Sequence, residues 1–318
     1  MKSITYVKSA FYSLTLIALG GCAPSDPQSE TKLINGTVAT KTQFPSALVY
    51  LLPGGGQCTG TKVSDRHILT AAHCLADSLG TLRPGLVRGS RIHASNFPER
   101  TTTDTSQWYV GRVKSYWVFD QFTRDCASSG GLCGRGTQLA FLPPPDLALI
   151  EVEGTLPSQW PSAKIDKTYV WNGDPVVIAG YGCESGTSSS GASSTVRKKF
   201  GRTSVLAGSV INDLEPRVSE ANMNNFESYY FMTPGAHYNY ESSANNVSLC
   251  PGDSGGPVYR DSAEEVVVGI HSSYIFYSAD DYSWANRHTR LVDPWQGTDV
   301  LPWLESFLPD SSFTTTPL

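Results

Sequence analysis

The sequence predicts an all-β protein of barrel architecture, and three observations carry that expectation. Short apolar runs at 47–52, 67–70, 147–152, 176–179 and 266–270 are rich in Val, Ile and Tyr, and Gly, Pro, Ser and Asp punctuate the chain between them. Helical spacing is clear in one place, 300–308, where Leu301, Leu304 and Leu308 recur along one face. The chain has 318 residues, 40% of them hydrophobic, enough for one large β domain or two smaller ones.

Taken in order, the chain begins with Lys2 and Lys8 ahead of an apolar stretch at 10–21, too short for a stable membrane helix and shaped like an export signal. Residues 23–32, with Pro24 and Pro27, read as a flexible tether. The strand-like runs follow. Residues 184–195 are mostly Ser, Gly, Thr and Ala and read as a surface loop. Residues 309–318 are polar and Thr-rich, and the expectation is a disordered tail. The net charge of −5 offers no basic field, which excludes nucleic acid as a partner class. Cys and His pairs lack finger-like spacing, so no metal or other cofactor is expected.

Chemistry concentrates at residues 250–257, Cys-Pro-Gly-Asp-Ser-Gly-Gly-Pro. Ser254 is fenced by Gly252, Gly255 and Gly256, and glycines let main-chain N–H groups converge on one point, as an oxyanion requires. A serine hydroxyl is a weak nucleophile and needs a base, which in turn needs an orienting acid. Of six histidines, His73 has the most telling context: Ile68-Leu69-Thr70-Ala71-Ala72-His73-Cys74 runs an apolar strand into two small residues and then an imidazole. The acid is expected to be Asp146, which leads into Leu147-Ala148-Leu149-Ile150 and so into partial burial; Asp120, Asp125 and Asp166 compete without such a strand.

These segments resemble the trypsin/chymotrypsin family of serine endopeptidases. Lys32-Leu33-Ile34-Asn35-Gly36 is similar to the family's activation site, Thr70-Ala71-Ala72-His73-Cys74 to its histidine motif, Asp146-Leu147-Ala148-Leu149 to its aspartate motif, and Gly252-Asp253-Ser254-Gly255-Gly256-Pro257 to its serine motif. The resemblance covers about residues 33–308 and implies two six-stranded antiparallel barrels with a C-terminal helix packed on the second. It implies His73 as general base and acid, Asp146 as its orienter, Ser254 as nucleophile, and the N–H groups of Gly252 and Ser254 as oxyanion hole. Asp253 is implied to be the receiver of a new amine at Leu33 once the bond after Lys32 is cut, so the protein is expected as a zymogen. The partners implied are protein or peptide substrates and an activating protease, with the enzyme acting as a monomer. A catalytically silent, protease-like binding protein is the alternative.

The resemblance also places a pocket. Ser248, six residues before Ser254, falls where Lys/Arg-specific members carry Asp, so trypsin-like specificity is not expected. His271, Ser272, Tyr274 and His288 fall on the pocket walls. Paired imidazoles suit a glutamate side chain; the other open reading is an apolar or aromatic preference. Among seven cysteines, Leu19-Gly20-Gly21-Cys22 resembles the lipobox of bacterial lipoproteins, with Cys22 as the lipidated residue; an ordinary secretory signal is the alternative. That implies an exported, outer-membrane-anchored precursor, with 1–22 as signal and 23–32 as activation peptide, released by the same cut. The other six suit disulfides in an exported chain. The family resemblance implies Cys58–Cys74; Cys126–Cys133 would close a small loop, leaving Cys183–Cys250.

Overall fold

A computed structural model describes residues 33–53, 56–101, 106–128, 144–182, 195–207, 226–236, 246–277, 282–293 and 299–317. Cys22, Cys133, Cys183, the signal and tether, and all but the last residue of the 184–195 loop lie outside them.

Six strands close the first barrel: β2 (Ala47–Leu51), β3 (Gln57–Lys62), β4 (His67–Thr70), β8 (Ala148–Val152), β7 (Tyr109–Val118) and β5 (Arg91–Ser95), in that cyclic order and all antiparallel. Apolar runs expected from the sequence supply the interior, with Leu48, Ile68, Leu69, Leu149, Ile150 and Val152 buried. Barrel closure leaves no free edge to these strands. Because β4 pairs with β8, the segments before His73 and after Asp146 lie side by side: Thr70 opposes Ala148.

The second half is a larger sheet whose main path runs β1 (Thr37–Val38), β12 (Lys199–Ser204), β10 (Pro175–Gly180), β14 (Pro257–Arg260), β15 (Val266–Tyr277), β16 (Tyr282–Arg290) and β13 (Tyr230–Pro234). It curls back on itself, since Leu206, just past β12, donates its N–H to Met232 of β13 at 2.9 Å. A separate antiparallel ribbon, β6 (Glu99–Thr101) with β11 (Thr195–Arg197), joins the two halves. The architecture is the all-β double-barrel type expected. Between the halves, residues 153–163 are pinned by Lys62, a buried lysine whose Nζ donates to the carbonyls of Trp160 (2.7 Å) and Pro157 (3.1 Å). Those carbonyls offset part of the cost of burying the cation.

Two expectations at the chain's end are corrected. The helix is present, as α3 (Val300–Phe307), but its aromatic face meets the first barrel: Phe307 sits 4.6 Å from Trp117 of β7, and Trp303 stacks edge-on against Phe119 at 5.5 Å. Nor is the tail loose. β17 (Phe313–Thr314) pairs in parallel with β9 (Lys164–Asp166), and Thr316 donates to the Asp166 carboxylate from both its N–H (3.2 Å) and its hydroxyl (2.7 Å). Polar composition misled because this buried carboxylate is what the threonine satisfies.

Candidate active site

Strand β4 ends at Thr70, and a single turn, α1 (Ala72–Leu75), presents His73. Ala71 and Ala72 are fully buried, so only small residues fit beneath the turn. Asp146, at the entry to β8, grips that turn twice. Its Oδ2 lies 2.6 Å from His73 Nδ1, and its Oδ1 accepts the His73 backbone N–H at 2.9 Å. A third donor, the Ser272 hydroxyl, reaches Oδ2 at 2.8 Å, while Thr289 Oγ1 donates to the Asp146 carbonyl at 3.2 Å.

Burial by itself raises the Asp146 pKa, but the His73 charge and the hydrogen bonds from His73 and Ser272 prevail and hold it below the usual carboxylate value. For His73 burial disfavours the charged ring, yet the Asp146 charge and hydrogen bond outweigh that and raise its pKa, against opposing contributions from Arg83 and Arg287. This is an imidazole oriented with Nδ1 to the acid and Nε2 outward, poised to accept a proton.

The competing acids lie elsewhere. Asp166 is taken by Arg260 at 2.8 Å and by Thr316, and Asp120 and Asp125 belong to α2 (Asp120–Ser128).

Ser254 stands in a loop stitched to the histidine's strand. Thr59 of β3 donates its backbone N–H to the Ser254 carbonyl (2.9 Å) and its hydroxyl to the Gly252 carbonyl (2.8 Å). Cys74 Sγ is 3.7 Å from the Ser254 carbonyl, so the residue after His73 touches the serine loop. Gly255 has φ +80°, and a Cβ there would lie 2.0 Å from Thr70 Oγ1; only glycine allows this approach. Gly252 has φ +99°. Among the described residues the N–H groups of Gly252 and Ser254 donate to nothing, leaving two donors idle beside the hydroxyl. Nor does any hydrogen bond join Ser254 Oγ to His73 Nε2 among them; such contacts commonly tighten only with substrate bound.

Asp253 points away, into the protein. Its carboxylate accepts the N–H groups of Gly182 (2.7 Å) and Cys250 (3.0 Å), and no cation lies within ion-pair distance among the described residues. Burial pushes its pKa up to about 7, against those two hydrogen bonds and the more distant charge of Lys199. Leu33 is fully buried in an apolar cluster with Leu249 and Val258, and Ile34 forms a two-bond bridge with Ser248.

Of the residues expected to line the pocket, Ser248 forms that bridge and Tyr274 lies on the Leu33 cluster beside it. The Ser248 hydroxyl is fully buried and accepts the Ala236 N–H at 2.6 Å. His271 and His288, both fully buried, form a closed relay. His271 Nε2 lies 3.0 Å from the Ala179 carbonyl, its Nδ1 is 3.1 Å from His288 Nδ1, and His288 Nε2 is 3.0 Å from Thr233 Oγ1. The carbonyl can only accept, so His271 carries its proton on Nε2, His288 on Nδ1, and Thr233 donates to His288. Burial lowers both pKa values, that of His271 to about 3. Two neutral rings with every nitrogen engaged are a structural unit, and the expectation that they receive a substrate carboxylate does not fit this arrangement.

Cys58 and Cys74 form a disulfide, tying the histidine turn to β3. Cys126 and Cys250 are disulfide-bonded as well, with partners outside the described residues. Sequence reasoning did not foresee Thr59 as the stitch or Ser272 as a hydrogen-bond donor to Asp146. The small residue one position beyond His271 was the available signal for the latter.

Comparison with known proteins adds an independent finding. The profile of the family described as Trypsin matches residues 33–293. Trypsin delta, Trypsin gamma and Trypsin beta of Drosophila erecta are each 38% identical to this chain over 65 residues, 20% of this chain and 26% of theirs. The matched segment thus spans about a quarter of those relatives.

Proposed function

The chain belongs to the trypsin family, and from that premise we propose that it is a serine endopeptidase working through Ser254, His73 and Asp146. Ser254 Oγ attacks the scissile carbonyl while His73 Nε2 takes its proton. Asp146 fixes the imidazole tautomer and stabilises the imidazolium, and the idle N–H groups of Gly252 and Ser254 receive the oxyanion. His73 then returns the proton to the leaving amine, and water repeats the sequence on the acyl-enzyme. The observation that carries this reading is the double grip of Asp146 on His73 next to a serine loop with two unused N–H donors. A fluorophosphonate probe should label the protein at Ser254, and Ser254→Ala should abolish both label and peptide hydrolysis. Absence of labelling in protein cut after Lys32 would sink the proposal.

The uncleaved chain is a zymogen in this reading. Asp253 is buried without a cation among the described residues, and the Ile34–Ser248 bridge holds Leu33 in the same region. Cutting after Lys32 gives Leu33 an amine to pair with Asp253; such a pair forms only where geometry offsets desolvation. The same cut separates the catalytic domain from Cys22, the expected lipid anchor, releasing it from the outer membrane. N-terminal sequencing of soluble active enzyme should begin at Leu33.

For the pocket we infer an apolar or aromatic preference. Ser248 offers no charge, the two imidazoles are internally satisfied, and Tyr274 brings a ring to the wall.

A further inference from the structure

Arg287 lies on β16 directly opposite Ser273 of β15. It is half-buried, and its Nε donates to Ser273 Oγ at 2.8 Å. Its guanidinium lies over the Tyr230 ring, 5.1 Å from the centroid, in a cation–π contact that fixes its plane. A guanidinium carries five N–H donors, and the other four are unused among the described residues. No carboxylate pairs with it there, whereas Arg197, Arg202 and Arg260 all have one. Its strand partner Ser273 directly follows Ser272, whose hydroxyl touches Asp146, so this cation stands close to the proposed catalytic pair.

Its position relative to a substrate follows from its neighbours. Ser272 touches Asp146, and Tyr274, a pocket residue in the endopeptidase reading, packs on the Leu33 cluster; Ser273 lies between them. The disulfide flanks the opposite side, at the Ser254 carbonyl. In the endopeptidase reading, a peptide whose pocket-filling residue precedes the scissile bond runs its earlier residues across Ser273.

We propose that Arg287 is a specificity-determining residue that binds an Asp or Glu carboxylate on the amino-terminal side of the scissile bond, outside the primary pocket. This rests on the endopeptidase reading for its substrate direction. A planar fork already oriented by Ser273 and Tyr230 suits bidentate carboxylate recognition, with little side-chain freedom left to lose on binding. The preferred substrate class is then an acidic segment ending in an apolar or aromatic residue.

The test is a set of peptides with the pocket residue held constant and Glu, Gln or Lys at each of the three preceding positions. At one position Glu should exceed Gln in kcat/KM by about 10- to 100-fold, the range expected for a charge-assisted hydrogen bond. Arg287→Gln should bring that ratio near unity, Arg287→Lys should leave it intermediate, and Arg287→Glu should reverse it toward Lys. Rising salt should compress the ratio, since the site is partly exposed. Equal rates for Glu and Gln, or a ratio unchanged in Arg287→Gln, overturn the proposal. Calorimetric binding of the same peptides to the Ser254→Ala protein gives a second readout, with the same Glu over Gln discrimination expected. If hydrolysis is absent while binding discriminates, the endopeptidase reading fails and the Arg287 site stands. Binding without discrimination removes the site.

Discussion

Ile34 and Ser248 exchange both backbone hydrogen bonds, each 3.1 Å long. The first described residues are thereby paired with Ser248, the pocket floor in the proposed reading, and Ser248 is five residues before Asp253. In the zymogen reading, an amine freed at Leu33 has a short path to the serine loop: through this bridge, the Asp253 carboxylate, and the Gly252 N–H beside it.

The buried Asp253 predicts a pH response that is strong before the cut and weaker after it. In the intact chain its folded pKa is about 7, above the ordinary carboxylate value of 3.8. The unfolded chain releases that proton first, so stability falls as pH rises from about 4 to about 7. The ceiling on the loss is about 4 kcal/mol, at about 1.4 kcal/mol per pH unit. Urea unfolding across this window should show the decline, Asp253→Asn should flatten it, and cleavage after Lys32 should reduce it. A flat profile in the intact protein would count against an unpaired carboxylate.

Asp146→Asn removes the groups that raise the His73 pKa. Wild-type kcat/KM should fall as pH drops through a His73 pKa above the ordinary 6.5. In the variant that limb should move to lower pH, because burial, Arg83 and Arg287 all push the same way. Turnover should drop about 10⁴-fold, as expected when the imidazole loses its tautomer partner. A pH–rate profile of both proteins checks direction and size together.

In the proposed reading of the pocket, the Tyr274 ring, packed on the Leu33 cluster, forms part of its wall. Replacing it with glycine should widen the entrance, so that Trp or Phe before the scissile bond gains in kcat/KM relative to Leu or Val. A peptide library profile reads the change. An unaltered ranking would place the Tyr274 ring outside the path of the substrate side chain.

Much of this site was legible because its residues lie in short, chemically distinctive segments. His73 and Ser254 are marked by neighbours that backbone sterics demand: Ala71 and Ala72 under the turn, Gly255 where a Cβ would strike Thr70. The strands at 47–51, 67–70 and 148–152 announce themselves by apolar runs because both sides are covered. What escaped were relationships between distant segments. Composition cannot reveal that Thr316 meets Asp166 across 150 positions, that α3 turns its aromatics to β7, or that His271 and His288 satisfy each other. Arg287 reads in the sequence as one more basic residue in Asn286-Arg287-His288. That it has no acid partner among the described residues is visible only in three dimensions.

The ordered end of the chain has a practical consequence for anyone expressing the protein. A chain trimmed after Leu308, the boundary that composition recommends, strips β9 of a strand partner and leaves Asp166 with Arg260 and Thr168 but without Thr316. An affinity tag belongs beyond Thr316 on a spacer, where it leaves the β17 pairing and the Asp166 contacts in place.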